Sequence, residues 1–222
     1  MAASIILTAA LCVVGILQQG IKHTLRRSDN LVMLWEEHLR FEFDPDFKSV
    51  EATMDTMSEN PYVNHVPTLV GGAGVKSLQE FYRSSFIYSN PAIDMQLISR
   101  TVGRDRLVDE MILDLNHTAY IDWLVPGIAP SGRRVRFPLV VIVDFSTEEG
   151  EIKISSEHIY WDQATVLLQL GAFDTTDLWA GANLDISGVE QAMKVEDPSS
   201  VEPNAMLSRA LESRKASSMS ER

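Results

Sequence analysis

The sequence predicts an α+β domain in which N-terminal helices pack on a curved antiparallel sheet and enclose a pocket between the two layers. Three observations predict it. Between Asp29 and Asn90, apolar residues recur at helical spacing and the runs end at Asn-Pro or glycine breaks. From Ala92 to Asp162 the pattern changes to strands separated by turn clusters. Helices grouped first and strands grouped after, with no alternation between them, is the α+β order. A chain of 222 residues, 45% hydrophobic, suits one compact domain with tails, and its core needs no metal or disulfide staple.

Composition narrows the partners. A net charge of −12 argues against nucleic acid and against an anionic membrane surface. Cys12 is the only cysteine, so neither an intrachain disulfide nor a thiolate zinc cluster can form. The apolar run Ile5 to Leu17 is shorter than the roughly 20 residues a spanning helix needs. It lacks the preceding charge and the cleavage site of a signal peptide, and Lys22, Arg26 and Arg27 follow it. The organisation expected is a leader over 1–28, a domain over 29–172, an extension over 173–196 and a disordered tail over 197–222. A cytoplasmic location is expected, with a weak membrane anchor or secretory leader at 5–17 as the alternative.

Asp29 or Asn30 can cap a first helix, in which Leu31, Leu34, Trp35 and Leu39 share a face. Ser49 can cap a second, with Val50, Met54 and Met57 inward and Asn60-Pro61 as its stop. His65 lies in a short apolar segment before Gly71-Gly72-Ala73-Gly74, whose spacing is not that of a dinucleotide fingerprint. Leu78, Phe81, Tyr82 and Ser85 mark a third helix, ended by Asn90-Pro91.

In the sheet, Leu107 to Trp123 reads as one long strand with a bulge or bend. Its core-facing row, Leu107 to Trp123 at every second position, is interrupted by Asp109 and His117. These two lie eight residues apart, about 26 Å at strand rise, so His117 can belong to a pocket without Asp109. The turn cluster 125–134 leads to a central strand, Phe137 to Phe145, and Thr147 to Gly150 turns into Glu151 to Asp162. Centring both hairpins on their turn residues sets His117 opposite Val140 and Val140 opposite Glu157. A slip of one residue exchanges Glu157 for His158, and a bulge must re-aim Asp162 if it shares that pocket. The closing stretch Glu157 to Gly171 concentrates ionisable and aromatic groups, then turns helical, with Ala164, Leu167 and Leu168 on one face and Gly171 at its end.

Asn116-His117-Thr118 followed by Pro126-Gly127-Ile128-Ala129-Pro130-Ser131-Gly132-Arg133 resembles motifs of the SnoaL-like polyketide cyclases of the nuclear-transport-factor-2-like (NTF2-like) superfamily. Glu157, Trp161-Asp162 and Gln169-Leu170-Gly171 resemble the closing strand and last helix of that family, so the resemblance spans roughly Leu31 to Gly171. It extends to a fungal subgroup that stands beside dienelactone-hydrolase-type (carboxymethylenebutenolidase) proteins. Asn116, Ala119 and Ser131 depart from the family pattern.

The resemblance implies an NTF2-like cone, a homodimer, and cofactor-independent acid/base chemistry on a small polyketide-like or other carbonyl-containing metabolite, as a cyclase, isomerase or dehydratase (a lyase). No metal and no cofactor are implied. Asp162 and His117 are the implied catalytic residues, with Asp162 as the acid/base. His65, Trp123, Glu157, His158, Tyr160 and Trp161 are the expected substrate contacts. Trp161 and Tyr160 beside Asp162 would strip water from its carboxylate, and His117, His65 or Tyr160 would donate to an enolate oxygen. Hydrolysis of the dienelactone type is disfavoured, because no Gly-x-Ser-x-Gly elbow exists and Cys12 lies in the apolar leader. The rival reading is a non-catalytic ligand-binding or dimerisation module on the same fold.

Overall fold

The structure, a computed structural model, describes residues 24–172 together with positions 208, 211 and 212. The expectations for the apolar run at 5–17, for the extension and for most of the tail fall outside those residues. Among the described residues no helix is long and apolar enough to cross a membrane.

Helix α1 runs over 24–43 and passes through Asp29 and Asn30 without a break, so neither caps it. Nothing between Thr24 and Asn30 is a glycine or a proline, and the helix has no local reason to begin at Asp29. Its buried stripe is Leu31, Trp35, His38 and Glu42, spaced four, three and four residues apart. Helix α2, Val50–Asp55, is capped by Ser49 as expected, whose side chain accepts from the Ala52 amide. It ends before Asn60-Pro61, and Met57 opens a strand instead of completing the helix.

That strand, β1 (Met57–His65), and its partner β2 (Val70–Ala73) form a hairpin that the sequence reads as loop. Pro61 hid it. The pairing of β1 with the last strand is interrupted between Met57 and Tyr62, which is where a residue lacking an N–H is tolerated. Helix α3 (Val75–Phe81) continues into a turn of π-helix, Tyr82–Phe86. There follow β3 (Ile93–Val102), β4 (Arg106–Asn116), β5 (Arg134–Glu148), β6 (Glu151–Trp161) and helix α4 (Gln163–Leu170).

The six strands lie in the order β2-β1-β6-β5-β4-β3. The expected α+β cone of helices on a curved sheet is present, but β1 pairs parallel to β6, so the sheet is mixed rather than antiparallel. Its inner face, including Met111 and Leu113 of β4, Leu139 and Val141 of β5 and Ile159 of β6, is buried and shares one cavity with α1 and α3.

Two boundaries differ from expectation in ways that matter for the site. Strand β4 stops at Asn116, because the His117 backbone turns to the 117–133 connection, donating to Arg133 and accepting from Gly132. That connection is centred near residue 125 rather than near 129, and β6 carries an extra residue, Ser155, opposite Asp144 and Phe145 of β5. The register is therefore Leu107 opposite Val143 and Val143 opposite Glu157. His117 lies ten positions along from Leu107, roughly 30 Å at strand rise, so it does not face Glu157 across the sheet. At the other end of β5, Glu149 and Gly150 both have positive φ, 52° and 91°, the two-residue turn whose twist matches a hairpin.

Candidate active site

Between the helices and the inner sheet face lies a cavity whose polar groups are gathered at one end. Phe81 and Phe86 of the third helical segment, Trp123, and Met111, Leu113 and Val141 of the sheet make its apolar walls. Leu39, Phe43 and Met95 are only half-buried and mark the side that opens between α1 and β3. The polar groups are Glu42, Glu157, Tyr82 and His65. The space within reach of a water molecule's centre is about 40 Å³, enough for two or three waters.

The centre of the polar end is His38. It stacks on Trp35, ring centroids 5.6 Å apart, and both follow from their places on the α1 stripe. Thr56 donates its hydroxyl to the Thr53 carbonyl at 2.6 Å, so at the 2.6 Å contact with His38 Nδ1 the Thr56 oxygen is the acceptor and the ring nitrogen carries the proton. On the other side of the ring, Nε2 stands 3.1 Å from a Glu42 oxygen and 3.1 Å from a Glu157 oxygen. These are charge-pair distances off the hydrogen-bond line; Nε2 and Glu157 Oε1 are both buried without an aligned hydrogen-bond partner. All three residues are buried, at 0%, 3% and 4% exposure, deep enough that an unpaired charge would be untenable.

The electrostatics follow from this packing. Burial by itself would lower the His38 pKa, but the charges of Glu42 and Glu157 outweigh it and raise it to about 10. Burial also raises the Glu42 carboxyl, against the pull of His38. The Tyr82 hydroxyl lies against both carboxylates, and burial followed by those two charges pushes its pKa well up, so it stays a proton donor. The π-helical turn brings Tyr82 and Phe86 inward together; such insertions recur at functional sites because they re-aim one side chain without ending the helix.

His65 is the second buried imidazole, and its surroundings are the opposite. It ends β1 inside a box of Phe81, Phe86, Trp123 and Trp161, with ring centroids 5.0–6.1 Å away. Its Nδ1 donates to the Val70 carbonyl at 3.0 Å, which leaves Nε2 as a lone pair. Burial pulls its pKa down to about 4, so it is neutral and accepts rather than donates. This differs from the expected role of His65 as a donor to an oxyanion.

The other expected site residues divide sharply. Glu157, Trp123 and His65 line the cavity, and Trp161 closes the aromatic box around His65 and Trp123. His158 and Tyr160, of opposite parity to Glu157, point to the outer face, where His158 meets Tyr62 and Tyr160 is exposed. Asp162 does not line the cavity. It is the exposed N-cap of α4, accepting from the Ala164 amide at 3.0 Å and from the Thr165 hydroxyl. Trp161 does not shield it, since the indole donates to Gln163 at 2.6 Å.

His117 does not line the cavity either. It clasps the 126–133 connection, its Nδ1 accepting from the Ser131 amide at 3.2 Å with the Ser131 hydroxyl 3.1 Å away. The two motifs that carried the resemblance thus meet each other, and not the polar end of the cavity. Asp109 is taken up by Trp35 and Arg100.

His38 and Glu42 are not among the site residues expected from the sequence, and Tyr82 enters there only as a marker of the third helix. A signal was there. His38 and Glu42 are four residues apart on the stripe that Leu31 and Trp35 define, so two ionisable groups were aimed at the core by helical spacing alone.

The sequence matches no family model and no curated protein. Among solved structures, the chain is similar to TsrD from Streptomyces laurentii, at 19% identity and a TM-score of 0.49, over 65% of this chain and 97% of that one. It is also similar to a protein assigned as a SnoaL-like polyketide cyclase from a Jannaschia species, at 19% identity and a TM-score of 0.44, over 64% and 94% of the two chains. A third is Δ5-3-ketosteroid isomerase from a Mycobacterium species, at 15% identity and a TM-score of 0.43, over 60% and 93%. These include the SnoaL-like kind that the sequence motifs resemble. The likeness concerns the arrangement of helices on a sheet, and it brings neither substrate nor reaction with it.

Proposed function

We propose that the cavity performs general acid/base chemistry on a small, neutral, largely apolar carbonyl compound of polyketide-like character, with Glu157 and Glu42 handling the proton. The observation that carries this reading is the pair of buried carboxylates that flank one imidazole and line the polar end of an otherwise apolar cavity. A carboxylate in such a place accepts the proton α to the carbonyl. The C–H electron pair moves onto the carbonyl oxygen, and the Tyr82 hydroxyl is the donor at hand to stabilise it. His38 holds the two carboxylates in place, and Thr56 fixes which of its nitrogens faces them. Return of the proton to another carbon is isomerisation, attack of the enolate on a second carbonyl is ring closure, and loss of a β-hydroxyl is dehydration. All three begin with the same step. Anionic ligands are disfavoured, because two carboxylates already occupy the polar end.

The small free volume favours a second reading, a ligand-binding module without turnover, since sites for drug-sized ligands usually measure about 300–1,000 Å³. Deuterium exchange separates the two. Small cyclic ketones incubated with the protein and a chelator in heavy water should gain deuterium at the α-carbon, followed by NMR. Glu157→Gln should abolish the exchange, and Asp162→Asn, which keeps a good cap, should leave it intact. Exchange lost in Asp162→Asn and kept in Glu157→Gln would overturn the assignment of the base. Ketones that bind without exchanging would leave the binding module.

A further inference from the structure

The groups at the polar end are a ligand set as well as a proton-handling set. His38, Glu42 and Glu157 present one nitrogen and two carboxylate oxygens that all lie within 4.8 Å of one another, in full burial. Nε2 stands 3.1 Å from each carboxylate. Two ligands that are about 2.0–2.1 Å from one ion and about 100–110° apart sit roughly 3.1–3.4 Å from each other. The tautomer is already the required one. Nδ1–H is committed to Thr56, whose own proton goes to Thr53, so a neutral His38 offers its lone pair at Nε2. A backing hydrogen bond of this kind on the far nitrogen is what orients metal-binding imidazoles. Within this set, Nε2 and Glu157 Oε1 are completely buried and 3.1 Å apart without an aligned hydrogen bond between them.

Charge decides what best fills that gap. With a divalent cation and a neutral imidazole the sum is zero. We propose that His38, Glu42 and Glu157 form a three-ligand site for a divalent transition cation of the zinc class, with its open position facing the cavity. The ion sits between Nε2 and the two carboxylate oxygens. One nitrogen and two carboxylate oxygens, with no sulfur, suit Zn²⁺, Co²⁺ or Mn²⁺ rather than copper(I) or an iron–sulfur cluster. Three protein ligands and a free position are the arrangement of reactive rather than purely structural sites.

Chelator-treated full-length protein titrated with Zn²⁺ should bind one equivalent. Thermal unfolding should move to higher temperature as the ion is added. Co²⁺ should give the visible absorption of a low-coordinate centre. In nitrogen-detected NMR the Nε2 resonance of His38 should shift to a metal-bound position while Nδ1 keeps its proton. Glu157→Gln and Glu42→Gln should each lower the affinity at least tenfold. The NMR readout decides on the unmodified chain should either variant fail to fold. No stoichiometric binding, or binding that leaves the His38 resonances unmoved and persists in both variants, would overturn the site. The deuterium-exchange test above is run with a chelator present, so the acid/base reading and the metal site fail separately.

Discussion

Asp109 shows how one side chain ties three elements together. It is completely buried on β4, accepts from the Trp35 indole of α1 at 2.8 Å, and is held by Arg100 of β3 at 2.7 and 2.9 Å. Arg100 also reaches Glu36 on α1 at 2.7 Å. The sequence marks Asp109 as an interruption of an apolar row, which is correct, but its partners come from 74 and 9 residues away and no local pattern names them. Removing Asp109 leaves the buried Trp35 indole N–H without its acceptor and takes one of two carboxylates from Arg100, which keeps Glu36, so Asp109→Ala should cost about 1–3 kcal/mol of stability. Urea denaturation measures it, and a loss under about 1 kcal/mol would mean that the pair is not a significant tie. Because Trp35 stacks on His38, the same variant should also loosen the polar end of the cavity.

At the scale of elements, the parts that were legible are those with a local signature. Ser49 caps α2, Gly171 ends α4 in the left-handed region at φ 70°, and the turn at Glu149-Gly150 closes its hairpin. What was not legible depends on pairing across the sheet. The parallel contact of β1 with β6 has no turn joining the two strands, and the register of β4, β5 and β6 rests on the extra residue in β6 and on where a 17-residue connection is centred. Helix α4 illustrates both cases. Its limits were readable, but it buries Thr165, Val166 and Leu170 instead of Ala164 and Leu168, because its angle on the sheet decides its face. Asp162 belongs to this scale, as a cap. Asp162→Ala should cost about 1 kcal/mol by exposing the first turn of α4, while ketone binding in the cavity stays unchanged. A denaturant midpoint and a ligand titration on the same sample check both halves; a loss of binding at full stability would return Asp162 to the site.

For the molecule as a whole, the two buried histidines are opposed. His38 is held charged by two carboxylates, whereas His65 is held neutral by burial in an aromatic box assembled from β1, α3 and its π-helical turn, Trp123 and the end of β6. The His65 box closes only when those elements come together, so its protonation is coupled to the global fold. Its folded pKa, about 4, lies below the ordinary value of 6.5, so at intermediate pH the unfolded chain binds the extra proton. The sign follows. The stabilisation is fully present above pH 6.5, is lost as pH falls from 6.5 towards 4, and does not change further below that. The hydrogen bond to Val70 and the charge of Glu157 act in the opposite sense but are outweighed by burial. The shift corresponds to about 3 kcal/mol in total. Acidic residues elsewhere titrate in the lower part of this window, so the informative quantity is the difference from His65→Gln, which can still donate to Val70 but cannot take up a proton. Unfolding free energies from urea melts at several pH values should fall more steeply for the natural chain than for the variant between pH 6.5 and 4. Parallel curves would show that His65 is protonated alike in both states and that the aromatic box does not exclude water.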